Sequence, residues 1–386
     1  MSASSFPWPF RGRENRALSL AVLAWLLALN LWAVLSVRLL PLERPSQWSE
    51  EVTRRAPPFA RFDAGWYNTI VERGYGPPPP PGRESEHAFF PLYPFAARLL
   101  HLATGLDSFA CGLAVSWLAL LLAVPLLVEE ARERFGDGSR FSSLPFLFLY
   151  PVAFFLGAVY TESLFLLLAL LAFRAVRRGE LGPALVFAFL LGLTRAPAAA
   201  VGPGLSLAWA LGRRGDGRRF AGAAALFVAP LAGVLGWVSG LGLAFGEPGL
   251  FFRVMSAWRH DASDPVSGAL GFVRELGDKL GNGWFLRHPG ALVPYGHFVL
   301  FAALGLFQLR LRRFADAAWT GAALALPVLT GTVNGTPRYT LTIYPAHFAA
   351  ASLCEGRPAL RRLWLGVSLF GLLAESALFV GWHFIS

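Results

Sequence analysis

Between positions 61 and 94 the chain reads Arg61-Phe62-Asp63-Ala64, then Tyr67 and Gly74-Tyr75, a run of prolines at 77–81, Glu86-His87 and Phe89-Phe90-Pro91-Leu92-Tyr93-Pro94. Asp63 lies in a polar stretch directly behind the first long apolar run. A carboxylate held at a membrane interface can act as a base on a hydroxyl that arrives from water to meet a lipid-linked partner. The plainer reading is that Asp63 caps or solvates an interfacial helix, and periodicity leaves both readings open. Glu86 and His87 could supply a second acid or hold an acceptor, and loop polarity explains them equally well. Further along, Glu162 interrupts an apolar run at 141–176, and an intramembrane carboxylate is a functional hypothesis by default.

The elements that must position these residues are membrane helices. Of 386 residues, 55% are hydrophobic and 15% charged, with a mean hydropathy of +0.50, whereas soluble domains carry roughly 25% charge. The net charge of +10 comes from short arginine clusters between apolar runs, the pattern of cytoplasmic loops and not of a nucleic-acid-binding surface. Cys111 and Cys354 stand far apart in apolar stretches, so neither a disulfide framework nor a zinc site is indicated.

Candidate spans fall at about 17–40, 89–104, 108–128, 141–159, 162–176, 181–194, 197–211, 220–245, 291–310, 314–331, 341–355 and 361–383, which predicts about ten to twelve crossings. Arg11, Arg13 and Arg16 put the amino terminus in the cytoplasm, and the first apolar run is longer than a signal-peptide core and reads as a retained anchor. Clusters at Arg213-Arg214 with Arg218-Arg219, at Arg310, Arg312 and Arg313, and at Arg357, Arg361 and Arg362 are expected inside. The loops 246–290 and 332–340 are then outside, as are the junctions at Glu162 and Arg195 if Arg174, Arg177 and Arg178 are inside too, and 41–88 is outside by its place after the first span. Alternation does not close at 89–104: either this segment dips into the membrane without crossing, or a short pair at 141–176 or 181–211 is miscounted. The expected organisation is a single integral membrane domain over 1–386, with two long external loops, 41–88 and 246–290.

Taking 59–73 as helical, Phe59, Phe62, Trp66 and Ile70 form one apolar stripe, which would let the segment lie flat on the membrane, with Asp63 and Tyr67 at its edge. The prolines at 77–81 read as a stiff extended spacer. Trp258, Arg259, His260, Asp261, Asp264 and Trp284 combine aromatic and polar groups, as a sugar-binding surface requires. Interfacial tryptophans anchor membrane proteins just as often.

The ordered strings Arg61-Phe62-Asp63-Ala64 with Tyr67, Ile70, Gly74 and Tyr75, then Ala88 to Pro94, Tyr160-Thr161-Glu162-Ser163-Leu164-Phe165 and Gly192-Leu193-Thr194-Arg195 resemble the PIG-V family of mannosyltransferases and their bacterial relatives. The match covers roughly the first 200 residues. Phe62 keeps an aromatic where that family usually has Trp, and Pro337-Arg338-Tyr339 and Tyr344-Pro345 are the recognisable pieces of the second half. The resemblance implies an all-α, polytopic fold of the GT-C glycosyltransferase type, with a catalytic acid in the first external loop and a polyprenyl-phosphate sugar as donor. The arginine-rich composition looks bacterial, so the GPI substrate of the family does not carry over.

Inverting transfer from such a donor needs a base opposite the leaving phosphate, and Asp63 is the candidate. Arg195 and Arg338 could donate to the phosphate, or could be snorkelling arginines at helix ends. Glu162 either positions the sugar or pairs with an arginine, and Tyr67 and Tyr339, with Glu86 and His87, complete the expected substrate contacts. The expectation is therefore an inverting hexosyltransferase of the external face of the bacterial plasma membrane. It would move a sugar, mannose first, to a glycolipid or glycan acceptor, with no metal and no cofactor beyond the lipid-phosphate sugar itself and with no nucleic-acid partner. A polytopic transporter or lipid flippase is the alternative, because it too would explain the spans, Glu162 and Arg195.

Overall fold

The computed structural model describes residues 8, 12–40, 56–137, 141–213, 217, 219–258, 265–288, 290 and 292–383. Among these, every regular element is helical. Five helices are long and apolar enough to cross a membrane: Gly12–Leu39, Ser108–Phe135, Arg219–Ala244, Leu292–Arg310 and Pro358–Val380. At 1.5 Å per residue, their 19 to 28 residues span roughly 28–42 Å, enough for a hydrocarbon layer of ~30 Å. Two shorter apolar helices, Leu181–Gly192 and Phe314–Thr330, accompany them. The long helices leave Leu27, Leu31, Val299, Leu306, Leu363 and Phe370 exposed, rows of apolar side chains that lipid covers at no cost and water does not. The chain is thus an all-helical protein built for a membrane.

Several expected spans are not continuous helices. Segment 141–159 becomes a short helix, Leu144–Phe148, followed by a 3-10 turn, Ala153–Gly157. Segment 197–211 opens as a 3-10 turn, Ala196–Val201, before the helix Gly202–Gly212. Segment 341–355 follows a separate short helix, Thr336–Leu341, and is regular only over Tyr344–Leu353. Prolines at 145, 151, 197, 203, 337 and 345 mark these breaks, since each removes a donor and crowds the preceding turn. Loop 332–340 accordingly contains a helix, and 246–290 holds three, Leu250–Ser256, Pro265–Gly281 and Trp284–Arg287. The helix at 92–104 has 13 residues, about 20 Å, too short to cross by itself.

Within the single domain expected from the sequence, contacts group the chain into two compact units. The first comprises 1–72, 93–171 and 350–385, and the second 73–92 and 172–349.

In the first unit, Trp32 Nε1 donates to Leu373 O at 3.0 Å and joins the first helix to the last. Helix Ser108–Phe135 starts at Asp107, whose side chain accepts from Phe109 N and Ala110 N, a helix cap of the usual kind. The irregular stretch from 152 to 161 is wholly buried. Non-helical backbone survives in an apolar interior only when its polar groups find partners. Here side chains supply them: Trp117 Nε1 donates to Gly157 O at 3.0 Å, Ser163 Oγ to Leu156 O at 2.5 Å and Ser116 Oγ to Tyr160 O at 3.1 Å.

In the second unit, helices Leu181–Gly192 and Arg219–Ala244 approach closely at a pair of glycines. A Cβ on Gly192 would lie 2.1 Å from Pro230 O, so only glycine lets these backbones meet. Phe173 stacks on Trp319 at 5.5 Å. Between Leu292–Arg310 and Phe314–Thr330, buried Thr320 donates to Gln308 Oε1 at 2.9 Å, which satisfies two polar groups that the interior would otherwise penalise.

Candidate functional site

Asp63 opens the helix Asp63–Arg73, where a negative charge is favoured by the helix dipole. The helix ends where Gly74 takes a positive φ of 78°, and Arg98 Nη1 binds Val71 O at 2.7 Å near its last turn. Of the apolar stripe read from the sequence, only Trp66 and Ile70 lie in this helix, and Phe59 and Phe62 precede it. Phe59 and Ile70 are buried, Phe59 stacks on Phe154 at 5.4 Å, and Phe59 O accepts from Val159 N. The expectation of a segment lying flat on the membrane with this stripe in lipid is therefore corrected. Phe59 is covered by Phe154, from the irregular stretch.

The residues just before Asp63 are held unusually firmly. Arg61 is buried, with Nε donating to Val380 O at 3.2 Å and Nη1 to Pro57 O at 3.0 Å. Its guanidinium carbon lies 4.8 Å from the centre of the Trp382 ring. The Tyr160 hydroxyl donates to Arg61 O at 2.8 Å. Burial lowers the Arg61 pKa to about 10, with Tyr160 acting in the opposite direction, so the group stays charged at neutral pH. Phe62 then takes φ 49° and Trp382 φ 69°, a left-handed conformation that costs a non-glycine residue roughly 1–2 kcal/mol. Their rings meet 5.5 Å apart, and Phe62 also touches Phe379. Strain of this kind persists only where surrounding contacts over-determine it, and here it sets the direction in which the chain enters Asp63.

Asp63 is half-buried, and Tyr67, one turn on, shares its helix face. The Tyr67 ring lies 5.2 Å from Tyr93 and 6.2 Å from Tyr160. The Tyr93 hydroxyl donates to Gly112 O at 2.9 Å and lies close enough to Tyr67 and Glu162 to feel both. Glu162, fully buried, opens helix Glu162–Arg178, where the dipole again favours a carboxylate. One unit therefore gathers Asp63, Tyr67 and Glu162 with three residues to which the sequence reading gave no separate role, Arg61, Tyr93 and Tyr160. Arg61, Tyr93 and Tyr160 lie inside the quoted motifs and were legible as neighbours. Trp382 and Val380, more than three hundred positions away, carried no local signal.

The chain matches no protein-family model, no curated protein and no solved structure.

In the second unit, Glu86 and His87 form a 3-10 turn and close the loop that contains the prolines. Glu86 Oε1 accepts from Gly76 N at 2.9 Å. His87 Nε2 lies 3.1 Å from Gly76 O, and Nδ1 lies 2.5 Å from Ser85 Oγ. A carbonyl only accepts, so the ring proton sits on Nε2 and Nδ1 faces the hydroxyl. Burial lowers the His87 pKa; Glu86, the Gly76 carbonyl and Glu247 pull it up, and Arg253 pushes it further down. Arg253 also fixes the spacer, donating to Pro79 O at 2.9 Å and to Glu247 Oε2 at 2.8 Å.

Arg195 and Tyr339 come together in the same unit, with the guanidinium carbon 5.2 Å from the ring centre. Arg338 sits beside Tyr339 in the helix Thr336–Leu341. Of the aromatic and polar group expected in 246–290, Arg259, His260, Asp261 and Asp264 lie outside the described residues. Trp258 packs edge-on against Phe89 at 5.9 Å, and Trp284 stacks on His288 at 4.5 Å and receives the Lys279 ammonium at 4.3 Å.

Proposed function

We propose that this chain is a membrane-embedded glycosyltransferase, similar to the PIG-V family and of the GT-C type, that moves a sugar from a polyprenyl-phosphate donor to a lipid or glycan acceptor. The observation that carries the proposal is the Arg61-Phe62-Asp63 turn. A buried arginine, a left-handed aromatic and a tyrosine hydroxyl together hold one half-exposed carboxylate at the head of a helix. A general base must be fixed within hydrogen-bond reach of the hydroxyl it activates, and fixing it beforehand removes the cost of ordering it during reaction.

In the proposed step, Asp63 takes the acceptor hydroxyl proton as that oxygen bonds to the anomeric carbon. The bond from that carbon to the phosphate breaks on the opposite face, and the polyprenyl phosphate leaves with the electron pair. Tyr67 and Glu162 are proposed to orient the sugar, because Tyr67 meets the ring of Tyr160 and Glu162 follows Tyr160 by two positions. Arg195 and Arg338, in the second unit, are proposed as phosphate-binding groups on guanidinium chemistry alone. Mannose is the first sugar to test, and the external face of a bacterial plasma membrane is the proposed location.

A second reading, a transporter or lipid flippase, draws on the interrupted helices at 144–157 and 196–212, since broken helices are common at transport sites. One experiment separates the two. Membranes carrying wild-type protein or Asp63→Asn are given polyprenyl-phosphate [³H]mannose, and transfer to extractable glycolipid and glycan is measured. The enzyme reading expects transfer by wild type and almost none by the variant. Equal transfer by both removes Asp63 as the base, and a lipid-linked sugar that changes leaflet without being transferred favours the transporter.

A further inference from the structure

The second unit contains a cavity of about 550 Å³ where helices Glu162–Arg178 and Gly202–Gly212 end. Among the described residues that line it, three are arginines, Arg177, Arg178 and Arg213, and none is acidic. Trp209, Val176 and Ala208 form an apolar wall beside them.

This pocket is organised in advance. Arg213 Nη2 donates to Gly179 O at 2.8 Å, and the guanidinium carbon lies 4.3 Å over the Trp209 ring. Gly179 has φ +75°, and a Cβ there would fall 1.9 Å from Arg213 Nη2. Any other residue at 179 would be strained and would displace the arginine. A planar guanidinium fixed between a carbonyl and an indole has little freedom left to lose when it binds an anion.

We infer that this pocket binds the phosphodiester headgroup of an acidic phospholipid. The arginines match the phosphate in charge and geometry, and the volume falls in the range of small-ligand sites. A soluble phosphate would have no use for the apolar wall. A lipid would, since its glycerol and first methylenes can lie along Trp209, Val176 and Ala208 while the acyl chains continue into the bilayer. Exposed Leu211 and Phe220, at the adjoining helix ends, mark the apolar boundary that such chains would meet. Basic pockets at helix ends on the arginine-rich side of a membrane protein are suited to this task. The inference does not depend on the glycosyltransferase reading.

The test uses the full chain, purified in detergent, with lipid retention followed by native mass spectrometry. Phosphatidylglycerol is titrated against phosphatidylcholine on wild type, on the triple variant Arg177→Gln/Arg178→Gln/Arg213→Gln, on the single variant Arg213→Gln and on Arg310→Gln, which removes a charge outside the pocket. Wild type should prefer phosphatidylglycerol. Arg213→Gln should lose roughly fivefold in that affinity, the triple variant much more, and Arg310→Gln essentially nothing. Equal retention of both lipids by wild type would overturn the inference, and so would an unchanged affinity in Arg213→Gln, a variant that also serves if the triple one does not fold. Displacement of phosphatidylglycerol by inorganic phosphate at equal concentration would assign the pocket to a soluble anion and overturn the lipid reading.

Discussion

Asp63 and the pair Glu86-His87 have similar credentials in the sequence: each is ionisable, each follows an arginine within a few positions, and each sits next to aromatic residues. Their structural circumstances differ. The turn that leads into Asp63 is fixed from a distance: Arg61 reaches Val380 and Pro57, and Tyr160 reaches Arg61. The carboxylate is what this scaffold presents. Around Glu86-His87 the bonds belong to the ionisable groups themselves, which close the loop onto Gly76. Glu86 and His87 close their own loop through local bonds, whereas the turn before Asp63 is held by residues distant in the chain.

The largest effect that would sharpen this contrast is on activity. Asp63→Asn should lower sugar transfer by about 10²–10⁴-fold, the usual contribution of a positioned base, with little change in thermal unfolding. A variant that loses both together would make Asp63 a structural residue like its counterparts. Next comes the scaffold. Arg61→Met would leave the carbonyls of Val380, Pro57 and Ala60 without that donor, and each buried group so deprived costs about 1–3 kcal/mol. Unfolding in detergent should move to clearly lower temperature and transfer should fall with it. Arg61→Lys should rescue only part, since an ammonium cannot reproduce the planar fork over Trp382.

A smaller effect concerns pH and falls on the second loop alone. The folded His87 pKa is depressed below the ordinary value of 6.5, mainly by burial, with Glu86, Glu247 and Arg253 as the charges around it. The unfolded loop therefore binds more protons just below that value. The stabilisation is complete above pH 6.5 and is lost as pH falls towards the folded pKa. Protection factors at 76–88, corrected for the intrinsic pH dependence of exchange, should fall over that interval, and in His87→Gln they should not. Exchange at 61–67 that followed the same profile would tie the two regions together and blur the distinction. Smallest of all, Glu86→Gln keeps an acceptor for Gly76 N–H and should shift stability by about 1 kcal/mol or less. A loss of transfer comparable with that of Asp63→Asn would place Glu86 in the chemistry and erase the contrast.

Much of this protein was legible in its sequence. Composition named a helical membrane protein, and the helix taken over 59–73 is observed over Asp63–Arg73, with Phe59 and Phe62 lying before it. Gly74, whose φ is 78°, ends that helix through a local preference that a sequence carries in the residue itself. Glu162 stood out as a carboxylate in an apolar run, and it is fully buried.

Other features were decided only in three dimensions. Apolarity says that a segment avoids water, not whether lipid or protein covers it. Phe59, expected on the membrane surface, is thus stacked on Phe154. For the same reason 141–159 read as a span, although its backbone is broken and sustained by Trp117, Ser163 and Ser116. The bond from Arg61 to Val380 joins residues 319 positions apart, and neither end announces the other. Local periodicity, charge and turn chemistry act over a few residues and can be read along the chain, whereas the strained turn before Asp63 exists because distant side chains converge on it, and that convergence is a property of the folded molecule.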